Sequence, residues 1–256
     1  MKTQKLTLGT VTSATVLVLL VLLTGCTTLG MLTDDAIGKA VGTRISAKTG
    51  EVEFQIVYAQ TMIFSAGGTS VNDFKPGEGV RWQLTWDDSD DQPEPVESEH
   101  ALLTRDAEGE WWYIALFSDS STVEYEYFVN AEDVVTQLVY RNSDMPESRT
   151  MSVSIPLDRE NEGGFGYLYD EITADESGSY TVTRTTERVT VPAGTFKADK
   201  VAVTGTDEET GEKVDATWWF VDDVPGKMVR YEFYSEDDEV YKGHLLKVGR
   251  DYRRRL

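Results

Sequence analysis

Cysteine occurs once in the 256 residues, as Cys26, and its surroundings select a chemistry for it. It closes the stretch Leu23-Thr24-Gly25-Cys26, where two small residues at the end of an apolar run admit a peptidase. Lys2 and Lys5 place positive charge ahead of the run, Val16 to Leu23 form its apolar core, and residues 1–25 contain no Asp or Glu. That core falls short of the roughly 20 residues of a permanent span. Cleavage between Gly25 and Cys26 is therefore expected, leaving Cys26 as the new first residue. With a single thiol, no disulfide within the chain is possible.

The same four residues resemble a bacterial lipobox: a branched apolar residue, two small ones, and the cysteine that receives lipid. The resemblance implies a diacylglyceryl group and an N-acyl chain such as palmitate on Cys26. Several chains give stable attachment where one is marginal. The membrane is then the first expected partner. Thr27 stands where inner-membrane lipoproteins often carry Asp, which implies an outer-membrane anchor facing the periplasm in a cell with two membranes.

Other chemistry is sparse. The chain has no G-x-S-x-G, H-E-x-x-H, phosphate loop or G-x-G-x-x-G, and Gly163-Gly164-Phe165-Gly166 has the wrong spacing for a nucleotide loop. His100 and His244 are far apart with no ligand spacing around either, and each reads as a core or strand-end residue. Asp87, Asp88, Asp90 and Asp91 offer oxygens for Ca²⁺ but lack the alternating spacing, Gly and terminal Glu of a calcium loop. A solvated acidic turn is the better reading. No catalytic residue, metal site or cofactor is expected, and the chain reads as non-enzymatic. A net charge of −21 argues against binding nucleic acid or anionic lipid through the body of the protein.

The aromatic residues are the remaining candidates. Trp82, Trp86, Trp111, Trp112, Trp218 and Trp219 fall as three pairs, each on an expected strand. Trp82, Trp86, Trp112 and Trp219 are candidates to line a pocket for an apolar ligand, since such pockets are mostly apolar and aromatic. The competing reading is an ordinary β core. Adjacent strand residues point to opposite faces, so Trp111-Trp112 and Trp218-Trp219 require a sheet apolar on both sides. Helices, a second sheet or a bound ligand must then cover both.

The elements that position these residues are mostly strands. Residues 1–25 read as the leader, 26–50 as lipidated Cys and tether, 51–248 as one β-rich domain, and 249–256 as a basic tail. Asp34 or Asp35 can cap a short helix through Ile37, Ala40 and Val41. Val52, Phe54, Ile56 and Tyr58 alternate with Glu51, Glu53 and Gln55, which predicts a half-buried strand. Val80, Trp82, Leu84 and Trp86 form a second alternating strand. Trp111 to Phe117 is apolar on both faces and reads as a central strand. Asn130 to Asp133 either caps a helix or turns into a strand at 134–141; β-branched Val134-Val135-Thr136 favours the strand. Further strands are expected at 151–155, 180–184, 187–191, 196–204, 213–221, 228–235 and 240–248. Turn signals about every ten residues make this an antiparallel meander. Arg250 to Leu256 reverses the charge of what precedes it and can pair with the chain's own acids, with headgroups or with a partner.

Two segments carry a family resemblance. Phe74-Lys75-Pro76-Gly77-Glu78-Gly79-Val80-Arg81-Trp82 resembles the F-x-x-G-E-x-L-x-Y opening of an uncharacterised family of secreted bacterial proteins, with Trp82 in place of Tyr. Val189-Thr190-Val191-Pro192-Ala193-Gly194-Thr195-Phe196-Lys197-Ala198 resembles that family's V-x-V-P-A-G-T-F-x-A hairpin, and Trp219 to Val229 its W-x-x-x-x-V-P strand pair. The family is similar in fold to periplasmic lipoprotein carriers and receptors. The resemblance implies a strongly curved antiparallel sheet, or unclosed barrel, with an apolar concave face and few short helices. The function this implies is binding or shielding of a lipid-like ligand at the cell envelope. The alternative is a structural or assembly lipoprotein that binds other envelope proteins.

Overall fold

The computed structural model describes residues 47–64, 73–87, 95–118, 121–157, 180–206, 213–234 and 240–256. All belong to one of two units into which the chain divides, the one spanning 44–256. The leader, Cys26, the helix expected near Ile37, Asp88 to Asp91 and Gly163 to Gly166 lie outside the described residues.

Eleven strands form one antiparallel sheet. They are β1 (Gly79–Asp87), β2 (Val96–Arg105), β3 (Gly109–Phe117), β4 (Thr122–Asn130), β5 (Val134–Asn142), β6 (Met145–Pro156), β7 (Tyr180–Val191), β8 (Gly194–Thr206), β9 (Lys213–Phe220), β10 (Met228–Tyr234) and β11 (Val240–Gly249). The order β6-β5-β4-β3-β2-β1-β11-β10-β9-β8-β7 joins two meanders along the β1–β11 seam. The outermost strands β6 and β7 do not pair with each other, so the barrel stays open. Register shifts interrupt β1–β11, β2–β3, β4–β5, β5–β6 and β9–β10, and such bulges bend the strands that carry them.

The turn Pro192-Ala193 illustrates the bending. Val191 pairs with Gly194 across it, and Gly194 has φ of 148°, which suits the residue without a side chain. From there the Ala193 N–H reaches the Leu245 carbonyl of β11 at 3.1 Å. Flat neighbouring strands lie about 4.8 Å apart, and β8 stands three places from β11 in the order. The hairpin end must therefore fold across the sheet to make this bond.

One helix is described, α1 (Ala47–Phe64), and it corrects the strand expected over residues 51–58. Val52 and Ile56 are 54% and 46% exposed, whereas Phe54, Val57, Tyr58, Thr61 and Met62 are buried. That buried set is a helical stripe, spaced i, i+3, i+4, i+7, i+8. Both periods are present in the sequence; packing against the sheet selected the helical one. Elsewhere β5 takes the strand alternative, and the segments expected at 180–184 and 187–191 are one continuous strand.

Candidate functional site: two covered faces of the sheet

The register assigns each side chain to a face. Trp82 lies opposite Ser98 and Leu245, Leu102 opposite Trp112, and Trp112 opposite Tyr127. Leu84 lies opposite Gly243, Gly243 opposite Tyr231, and Tyr231 opposite Trp218. These residues form one apolar face, here the inner face, over which α1 lies.

The contacts there are aromatic. The Phe54 ring meets Tyr125 and Tyr127 edge-on at 5.4 and 5.2 Å, and Tyr58 meets Tyr127 at 5.8 Å. Phe74 covers the next portion, 5.5 Å from Trp112 and 5.3 Å from His100, whose imidazole stacks on Trp112 at 4.7 Å. His100 is thus a core residue. Trp82 and Trp112 are both buried on this face, as is Trp218, which the pocket expectation had left out. Trp86 holds the alternate position beyond Leu84 in β1; its side chain lies outside the described part.

Trp219 is not brought together with them. It pairs with Lys200 and Arg230 on the outer face, stacks beneath the Arg230 guanidinium at 4.7 Å, and donates its indole N–H to Glu187 at 2.7 Å. His244 occupies the same outer face, half-buried opposite Gln83 and Arg230. Burial, and then the Arg230 charge, lower its pKa.

The match between α1 and the face beneath it is poor in polar terms. Among the described residues, Glu53 Oε2, Gln60 Oε1 and Thr61 Oγ1 of the helix have no hydrogen-bond partner. Neither do Trp82 Nε1 and Ser98 Oγ of the sheet. Each such buried group costs about 1–3 kcal/mol. Burial raises the Glu53 pKa above the usual carboxylate range, with a hydrogen bond from Tyr125 acting the other way.

The outer face over β1–β4 is covered by residues 250–256, a role that sequence reasoning offered only as one of several. Gly79 of β1 pairs with Gly249 of β11, and the Tyr252 ring fills the notch they leave. A Cβ on Gly79 would fall 2.7 Å from that ring and 2.5 Å from the Ala101 Cβ. Tyr252 donates its N–H to the Gly77 carbonyl at 3.0 Å and its hydroxyl to Glu99.

The chain then runs across a row of acids and rings. Arg254 lies 3.5 Å over the Trp111 ring, and its Nε donates to Glu126 at 3.1 Å. Arg255 lies 4.3 Å over the Tyr113 ring and donates to Glu124 at 3.1 Å and to the Tyr113 hydroxyl. The backbone N–H groups of Arg255 and Leu256 both donate to Glu126 Oε1, at 2.6 and 3.0 Å. On the far side, Arg141 closes on Glu124 at 2.6 Å. Burial and the adjacent Glu124 charge push the Tyr113 phenol well up, so it stays protonated. Each acid belongs to a strand whose alternation sets it outward: Glu99 pairs with Ala115, Ala115 with Glu124, and Tyr113 with Glu126. Sequence reading missed this site because its acids lie on two strands with β3 between them, among the chain's 45. Their period-two placement was the available signal.

Among the described residues, no three His, Cys, Asp or Glu side chains are grouped to hold a metal ion, and no helix is long and apolar enough to cross a membrane.

No protein-family model matches the chain, and no curated protein matches it. Among solved structures, LprF from Mycobacterium bovis is 14% identical, with 75% of this chain and 93% of that chain covered and a TM-score of 0.34. A DUF1329 family protein from Desulfovibrio piger is 10% identical, with 76% and 93% covered and a TM-score of 0.28. A LolA superfamily protein from Nitrosomonas europaea is 12% identical, with 77% and 94% covered and a TM-score of 0.24. At such low identity and TM-score, these likenesses carry nothing about what the chain binds.

Proposed function

We propose that this chain is a non-enzymatic, lipid-anchored envelope protein that binds or shields a lipid-like ligand on the inner face of its sheet. In this reading α1 is an exchangeable cover and Cys26 is the anchor point. The observation that carries it is the mismatch of α1 with its seat. The helix places Glu53, Gln60 and Thr61 against the sheet with unpartnered polar atoms, while Val52 and Ile56 face solvent. A permanent core element would be expected to do the reverse. An acyl chain over Tyr125 and Tyr127, continuing toward Trp112 and Trp82, would cover this apolar face without burying those polar atoms. The Leu23-Thr24-Gly25-Cys26 stretch supports the anchor and the envelope location, with an outer membrane favoured where there are two.

Native mass spectrometry with solvent extraction on residues 30–256 tests the reading. A stoichiometric co-purified lipid is expected. A compact, empty protein that also ignores added lipid vesicles would end it.

One observation favours the assembly alternative. Edge strand β6 has two register shifts and carries Pro146 and Pro156, features that discourage strand addition. Edge strand β7 pairs with β8 over its whole length without a shift, and residues 181–188 are exposed. It offers an uninterrupted edge to an extended partner segment. Val182→Lys, which puts a charge on that edge, should then abolish cross-linking to envelope proteins while leaving thermal stability unchanged.

A further inference from the structure

We propose that the acidic, aromatic-walled slot across β2–β4 is a receptor for an arginine-bearing extended segment of a partner protein. Residues 252–256 occupy it within the chain, as a stand-in that the partner displaces.

The slot recognises more than charge. Each guanidinium has a ring beneath it and a carboxylate beside it, Arg254 with Trp111 and Glu126, Arg255 with Tyr113 and Glu124. Aromatic faces and carboxylates together favour the planar guanidinium over an ammonium. Glu126 adds a requirement for peptide. Its Oε1 accepts two consecutive backbone N–H groups, which a free cation or polyamine does not present in that spacing. Its side chain is fully buried, whereas the Arg254 and Arg255 side chains above it are 44% and 47% exposed. The receptor is therefore the buried partner, and the occupant lies at the surface.

The occupant is also held in an exchangeable way. Residues 251–256 form no strand, and among the described residues their one backbone-to-backbone hydrogen bond is from Tyr252 to Gly77. The remaining polar contacts are charge-assisted, and their guanidinium ends are about half exposed, so salt screens them in part. Vacating the slot would leave Glu99 on β2 and Glu126 on β4 without their cations and Glu124 held by Arg141 alone, so a replacement cation is favoured. The net charge of −21 draws basic segments toward the molecule and speeds their encounter.

The test uses the full chain in non-ionic detergent and a fluorescent peptide with the sequence of residues 250–256. Arg254→Ser with Arg255→Ser should raise peptide affinity about tenfold or more over the native chain, and added salt should weaken it. Glu126→Gln in that background should lose binding. On the unaltered chain, saturating peptide should accelerate amide exchange at Arg255 and Leu256. A folded double variant that binds no better than the native chain would overturn the proposal. So would unchanged exchange at those two amides, which is read without any substitution. Displacement by spermidine as effective as by peptide, at equal ionic strength, would show recognition of charge alone and would also overturn it.

Discussion

Glu53 sits on the packed side of α1 with one carboxylate oxygen unpartnered and its pKa raised by burial. The folded state therefore holds its proton more tightly than the unfolded chain. The resulting contribution to stability is complete below the ordinary carboxylate pKa and is lost as pH rises through the raised folded value. Thermal melts across this range should show that loss, and Glu53→Gln should remove it and stabilise the protein at neutral pH. Equal pH slopes for both proteins would exclude Glu53 as the source. Gln60 makes a parallel case without titration. Replacing its unpartnered amide in Gln60→Leu should add about 1–3 kcal/mol by denaturant unfolding. If α1 is an exchangeable cover, the same change should reduce lipid capture, because the helix then fits its seat better.

At the scale of elements, α1 and the strap of residues 250–256 cover opposite faces of β2–β4. Phe54 anchors the first through Tyr125 and Tyr127, and Tyr252 anchors the second in the Gly79–Gly249 notch. Phe54→Ala should cost about 3–5 kcal/mol if the helix is a fixed part of the core. As a cover it should instead come loose by itself, with proteolysis confined to residues 47–64 and the sheet's circular dichroism retained. Gly79→Val should displace Tyr252 and expose Trp111, read as increased quenching of tryptophan fluorescence by iodide. The glycine pair explains why Gly79 and Gly249 stand opposite each other: only there can the strap lie close against the sheet.

For the whole molecule, charge acts in two directions. Net repulsion at −21 is relieved by salt, so added NaCl should raise the melting temperature. The same salt should loosen the strap, seen as faster exchange of the Leu256 amide. Opposite responses from one titration would separate the global field from the local clasp. A parallel response would mean that the strap is held by packing rather than charge.

Much of this was legible without coordinates. Period-two alternation in Val80 to Trp86, and turn signals spaced about every ten residues such as Pro192 to Gly194, determined the strands and hairpins, because those signals are local. The double-sided apolar run Trp111 to Phe117 likewise required cover on both faces. The sequence did not determine what supplies that cover. Residues 51–58 fit two periods, and only the apolar face of β2–β4 chose the helix. Trp219 carries the same local signature as Trp82, and only the register across the four strands β1, β11, β10 and β9 put it on the opposite side. Glu99 is an outward residue of β2, Glu124 and Glu126 are outward residues of β4, and Arg254 and Arg255 lie more than a hundred positions further along. Their meeting depends on the β1–β11 seam, which returns the end of the second meander to the start of the first. Periodicity is a property of neighbours along the chain. Cover and convergence belong to distant segments, and the tertiary structure alone decides them.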